Sequence, residues 1–162
     1  MNMLNKQTTI NVSEKVNLIW SIADIIRDLY KPHEYGKVIL PMTVIKRFND
    51  TLVQTKEKVL ETYEQVKAFE VKDGLLEKAS RYSFYNTSPF NFENLLADSE
   101  HIEANFSTFL GGFFENVQDV LENFEFDKEI TKLANNNALF LVLQEFNKKS
   151  AYMGPDTVKV QT

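Results

Sequence analysis

The chain has 162 residues, 43% of them apolar and none of them cysteine. That is enough to bury a single-domain core without metal or disulfide support, and it excludes zinc ribbons, thiol nucleophiles and disulfide frameworks. The net charge of −5 conceals a division, because residues 1–60 hold nine Lys and Arg against six Asp and Glu, whereas residues 61–162 hold nine against seventeen.

Residues 1–11 lack periodicity and read as a flexible tail, although Asn11 followed by Glu14 forms a helix-start signal. From Val12 to Tyr30 the pattern is that of an amphipathic helix. Val12, Val16, Ile19, Trp20, Ala23, Ile26 and Tyr30 share one face, opposite Asn17, Ser21, Asp24 and Asp28. On that face Trp20 reads as a core anchor rather than a ligand-stacking ring. Lys31-Pro32 ends the helix, because proline disfavours a helical residue before it.

The stretch from Leu29 to Leu52 is the one around which the fold is expected to be organised. Tyr35, Val38, Leu40, Met42, Val44, Ile45, Phe48 and Leu52 spread over an apolar arc of roughly 220°, too wide for a helix resting on one neighbour. Thr43, Lys46, Arg47 and Asp50 occupy the remaining arc and are expected to face outward. Pro41 lies inside this helix, where it costs about 3 kcal/mol unless the helix bends or restarts, so a kinked central helix is predicted.

Beyond Asn49 the helix is expected to continue as a polar extension to about Glu70. Leu52, Val59, Tyr63 and Val66 form a thin apolar stripe along it, so it either protrudes or docks that stripe on something. Asp73-Gly74 marks a turn before a helix from Leu75 to Tyr85. Further helices are predicted over Phe92 to Ala97, Ser99 to Leu110 (stopping at Gly111-Gly112), Glu115 to Phe124 and Ala138 to Lys148, with Asp127 capping a turn through Leu133. In the last of these, Leu139, Val142, Leu143 and Phe146 point inward. No strand alternation is present. The predicted fold is all-α: a compact multi-helix bundle over residues 12–148 around a kinked central helix, with a protruding polar helix and a linker at 149–162.

Catalytic constellations are missing from the sequence, and no catalytic, cofactor-binding or metal-binding residue is assigned. Of the two histidines, His33 stands beside a proline. His101, within Glu100-His101-Ile102-Glu103, lacks the second histidine at helical spacing that a zinc hydrolase requires. No phosphate-cradling or dinucleotide-binding glycine loop occurs, and Gly111-Gly112 follows a helix rather than a strand. Asn86-Thr87-Ser88-Pro89-Phe90 departs from the Asn-Pro-Pro-Phe/Tyr loop of adenine amino-methyltransferases at the two residues after asparagine, and reads as a turn.

The positive signal is electrostatic. Lys31, His33, Lys37, Lys46 and Arg47 lie toward one end of the central stretch and are the candidate contacts to a DNA backbone; the alternative for each is an ordinary solvated or ion-paired side chain. From Tyr82 to Asp127 there is no Lys or Arg, while nine acidic residues and nine phenylalanines crowd in. A phosphate backbone would be repelled there, and an acidic, aromatic surface suits a protein partner.

A tryptophan-bearing helix, a Tyr-x-x-x-Ile-Leu-Pro turn and a Lys-Arg-Phe run are carried here by Leu18, Ile19, Trp20, Ala23, Leu29, Tyr35, Ile39, Leu40, Pro41, Lys46, Arg47 and Phe48. In these features the chain resembles the N-terminal helical domain of the methyltransferase (modification) subunit of type I restriction-modification systems, and the likeness continues more loosely to about Asn147. The resemblance implies a parent subunit that methylates adenine N6 in double-stranded DNA with S-adenosyl-L-methionine. Its catalytic part would begin after Thr162, the present chain carrying no catalytic site. The implied partners are a specificity subunit, a second methyltransferase subunit and a motor-nuclease subunit.

The competing reading is a free-standing helical protein-interaction module without enzymatic activity. A small DNA-binding regulator is disfavoured by the absence of a basic recognition helix and by a pI of about 5.1. No apolar run reaches the roughly 18 to 20 residues of a membrane span, and no signal peptide is apparent, so a cytoplasmic protein is expected.

Overall fold

A computed structural model describes residues 2–155, with side chains from residue 12 onward. The fold is all-α. Helix α1 spans Asn2–Ile26, α2 Gly36–Leu52, α3 Lys56–Val66, α4 Asp73–Ser80, α5 Phe92–Leu95, α6 Ile102–Gly111, α7 Glu115–Asn123, α8 Asp127–Asn135 and α9 Leu139–Phe146, with single 3-10 turns between several of them. The one β-type pairing among the described residues is an isolated antiparallel bridge between Asn86 and Phe113.

Helix α1 already begins at Asn2, so the backbone of residues 2–10, expected to be a tail, is helical. It ends at Ile26, four residues before the predicted Tyr30, where the Ile26 carbonyl accepts the N–H groups of both Leu29 and Tyr30. The chain then turns through Pro32–Glu34. Leu18, Ile22, Ala23, Ile26 and Tyr30 are buried, whereas Trp20 is 65% exposed and Val12, Val16 and Ile19 are also exposed. Trp20 is therefore not a core anchor. Two apolar stripes run along α1, and the bundle takes the one centred on Ile22 because α9 and the 149–151 turn pack there.

Helix α2 runs unbroken through the buried Pro41. The i−4 carbonyl that proline cannot serve belongs to Lys37, an exposed residue of the first turn. The helix is enclosed as expected on Val38, Met42, Ile45 and Leu52, but its outward strip is displaced. Lys46, Asn49 and Asp50 are buried, and Leu40 is exposed.

The main core gathers α1, α2 and α5 to α9. Leu139, Val142, Leu143 and Phe146 of α9 are essentially inaccessible, as the sequence indicates. Most of the phenylalanines between Tyr82 and Asp127 are inside. Phe92, Phe106, Phe109, Phe113 and Phe126 are buried, and Phe84, Phe90 and Phe124 are half-buried against the same core. Phe92 is the hub, edge-on to Phe106, Phe109 and Phe146 at centroid distances of 6.5, 5.9 and 6.5 Å, a geometry favoured by ring quadrupoles. The expected acidic, aromatic surface is thus acidic only, with its rings turned inward.

The polar extension does not continue α2. A 3-10 turn at Val53–Thr55 resets the axis, and α3 docks its stripe on α4 as a helical hairpin. Val59, Val66, Leu76 and Tyr85 form a second, smaller core, while Glu57, Lys58, Glu61 and Glu64 remain exposed. Helix α4 stops at Ser80, short of the predicted Tyr85. Arg81 takes a left-handed conformation (φ 69°), and the Ser80 hydroxyl replaces helical bonding by accepting from the Tyr82 N–H and donating toward the Phe84 carbonyl.

Candidate functional site

The five basic candidates do not form one surface. Lys31 and His33 are exposed on and beside the Pro32–Glu34 turn. Lys37, on the first turn of α2, lies 3.6 Å from Glu34. The Glu34 carboxylate also accepts the Lys31 backbone N–H at 2.9 Å, and that bond holds its carboxyl below the ordinary range. Arg47 is exposed but donates to the Met153 carbonyl.

Lys46 is the departure. Its Nζ pairs with Asp50 Oδ1 at 2.9 Å, with both side chains about 5% exposed, and sits 5.2 Å from the centroid of the Phe92 ring. The expectation that Lys46 and Asp50 face outward is corrected by a simple constraint. Once one of an i, i+4 pair is buried, desolvation costs several kcal/mol unless the opposite charge accompanies it.

Around that pair lies a closed polar network. Asn49 Nδ2 donates to Asp50 Oδ1 at 2.9 Å, and Asn49 Oδ1 accepts the Phe92 N–H at 3.2 Å. Asp50 Oδ2 accepts the Met153 N–H at 2.8 Å. Lys15, on α1, donates to the carbonyls of Ser150 and Tyr152 at 2.9 and 2.7 Å, and burial lowers its pKa. Every buried polar side-chain atom described has a partner.

The consequence is that residues 149–155, expected to be linker, are strapped across α1 and α2, with Ala151 and Gly154 buried. The part of that linker beyond Pro155 lies outside the described residues. The Asn49-Asp50 dipeptide, with Lys46 one turn before it, is the signal from which this network could have been read. The strap itself leaves no sequence signature, because it is held through backbone groups.

A second polar joint fastens the hairpin to the main core. Asn86, buried in the loop after α4, accepts Lys56 Nζ at 2.7 Å, the Ser88 N–H at 2.9 Å and the Ser88 hydroxyl at 2.6 Å, and donates to the Phe109 carbonyl at 2.8 Å. Its side-chain carbonyl oxygen is shared by three donors and its amide nitrogen is engaged by the Phe109 carbonyl, in keeping with a turn rather than a base-holding loop. Gly112 is required here, since a Cβ on it would lie 2.6 Å from the Ser88 nitrogen. Lys56 has no carboxylate beside it, and burial pushes its pKa down to about 7.

His101 Nδ1 lies 3.0 Å from Asp98 Oδ1, both side chains exposed, and the contact holds the Asp98 carboxyl low. Among the described residues no group of three His, Asp or Glu side chains could hold a metal ion, and no helix is long and apolar enough to cross a membrane.

The described surface also carries an apolar stripe of Val12, Val16, Ile19 and Trp20 along α1. Beside it a groove of about 170 Å³ is bounded by Lys15, Ile19, Ile39, Thr43, Phe146 and Met153. Trp20 is legible from sequence as an amphipathic-face residue, but the side of the helix it serves is not.

A family model described as the HsdM N-terminal domain matches residues 16–146. No curated protein and no solved structure matches the chain.

Proposed function

Because the chain belongs to the HsdM N-terminal domain family, that of the methyltransferase subunit of type I restriction-modification systems, we propose that it is the helical domain through which such a subunit assembles with its specificity subunit, a second methyltransferase subunit and the motor-nuclease subunit. In this reading it helps the assembly close around double-stranded DNA, while adenine-N6 methylation from S-adenosyl-L-methionine belongs to a catalytic domain elsewhere in the subunit. The match over residues 16–146 is the observation that carries the proposal. The exposed apolar stripe on α1 supports it, because Trp20 and Ile19 do no work in the core and large rings left in water are characteristic of docking surfaces.

Lys31, His33, Lys37 and Arg47 remain proposed contacts to the DNA backbone. Lys46 does not join them, its charge being spent on Asp50.

Co-purification of the intact methyltransferase subunit with its specificity subunit tests the assembly reading. Ile19→Glu/Trp20→Glu is expected to reduce recovery of the complex at least about tenfold, the loss of one or two anchoring side chains, with the thermal unfolding of the subunit unchanged. Full recovery after deletion of residues 16–146 would overturn it and favour an interaction module that serves some other partner.

A further inference from the structure

The cleft between α3 and α4 encloses about 530 Å³, and its lining includes Gln54, Lys58, Lys78 and Arg81 but no carboxylate. The three cations arrive from different places: Lys58 from the first turn of α3, Lys78 from the last turn of α4, and Arg81 from the left-handed residue that closes α4. None of them has an acidic side chain within ion-pair distance among the described residues. The basic candidates on α2 differ, since Lys37 on its first turn leans on Glu34 and Arg47, nearer its other end, is engaged by the Met153 carbonyl. Three like charges around one concavity repel each other and raise the local potential, so the site gains from a counter-anion.

We propose that the α3–α4 cleft binds the phosphodiester backbone of duplex DNA, with Lys58 and Lys78 acting as point charges and the Arg81 guanidinium offering two parallel donors to a phosphate. This deepens the DNA-closure part of the proposed function and rests on it. A phosphodiester is favoured over an acidic peptide because the cleft offers only Leu75 and Ala79 as apolar floor, with no aromatic pocket in which a peptide could anchor a side chain. Contacts of this kind position DNA without reading its sequence. The Gln54 amide adds a neutral donor to the lining. The Thr55 and Thr62 hydroxyls do not, because they donate to the Ser80 and Lys58 carbonyls.

Fluorescence anisotropy of the 162-residue chain with a labelled duplex of arbitrary sequence, across a salt series, tests the proposal. Lys58→Glu/Lys78→Glu/Arg81→Glu is expected to weaken binding at least about tenfold and to flatten the slope of log K against log salt by about 2 to 3, near one for each phosphate no longer neutralised. Lys58→Gln/Lys78→Gln, which leaves the Arg81 backbone position untouched, should flatten it by about 2, and circular dichroism confirms that each variant is folded.

If the cleft variants bind like wild type while Lys31→Glu/Lys37→Glu/Arg47→Glu loses affinity, the cleft proposal falls and DNA binding rests on those residues instead. If the wild-type chain shows no affinity for duplex at the lowest salt, both fall. Displacement of the duplex by polyglutamate at lower charge concentration than by unlabelled duplex would overturn the assignment in favour of an acidic protein.

Discussion

Lys46 and Asp50 carry opposite charges into the interior one helical turn apart, and the cost of that choice is visible in how many groups they recruit. Asn49, the Met153 N–H and the Phe92 ring all close around them. Removing one member leaves the other charged and dry, so Asp50→Ala is expected to cost about 3 to 5 kcal/mol in urea unfolding. A joint Lys46→Met/Asp50→Leu replacement should recover most of that stability.

Lys56 is the other interior cation, and it has no acid to offset its burial. Its pKa in the folded chain is about 7, against an ordinary 10.5. Between these values the unfolded chain binds the proton that the folded chain releases, so stability rises with pH across that window. Below about pH 7 the desolvation cost is fully present and changes no further. Urea midpoints measured from pH 7 to 10 should climb for the wild type, relative to a flatter profile for Lys56→Met.

Among the elements, α6 is the most legible in the sequence, because Ile102, Phe106, Phe109 and Leu110 fall on one face, and α9 is so apolar throughout that its burial follows even though Leu141 is left exposed. Helix α1 shows where periodicity stops being decisive. Its Ile22 and Trp20 stripes are both apolar at helical spacing, and only the arrival of α9, more than a hundred residues later, selects between them. Helix α2 departs from its expected orientation for a related reason, since an amphipathic reading sends charge outward, whereas a paired lysine and aspartate one turn apart can be buried together.

The break at Val53–Thr55 is not legible either, because no Pro or Gly marks it. It directly precedes α3, which docks on α4. Of the candidate site, the exposed Lys31 and His33 can be placed from sequence, but the α3–α4 cleft depends on that docking and has no linear signature. The orientation of α1 is checked by its single tryptophan. Trp20 should emit at long wavelength and be quenched freely by acrylamide, and Trp20→Ser should change unfolding free energy by no more than about 0.5 kcal/mol.

Across the whole molecule, charge and burial are sorted by region. Between Tyr82 and Asp127 the phenylalanines supply much of the core and the carboxylates keep its outer surface hydrated, so the lack of Lys and Arg there leaves an acidic face. Among the described residues, exposed cations without a carboxylate partner gather instead at the Pro32 turn, as Lys31 and His33, and in the α3–α4 cleft, as Lys58, Lys78 and Arg81, with Lys128 and Lys149 standing singly. The strap over residues 149–155 joins α1 to α2 by holding Lys15, Arg47 and Asp50 together. Ending the chain at Lys148 would remove the Met153 partner of Asp50 and both acceptors of Lys15. A destabilisation of about 2 to 4 kcal/mol in thermal or urea unfolding is expected from leaving those groups unsatisfied.

Those contacts bridge separations of 103 to 137 residues, and that spacing constrains the order of events during synthesis. While the ribosome has yet to release the segment around Met153, the carboxylate on α2 has no backbone donor from the strap and the ammonium on α1 lacks its acceptors. Local helices can form early, but closure of these contacts has to wait for the segment around Met153, since distant pairings contribute only after their loops are closed. A nascent chain arrested before that point should remain protease-sensitive along α1 and α2, and become resistant within the few residues that complete the strap.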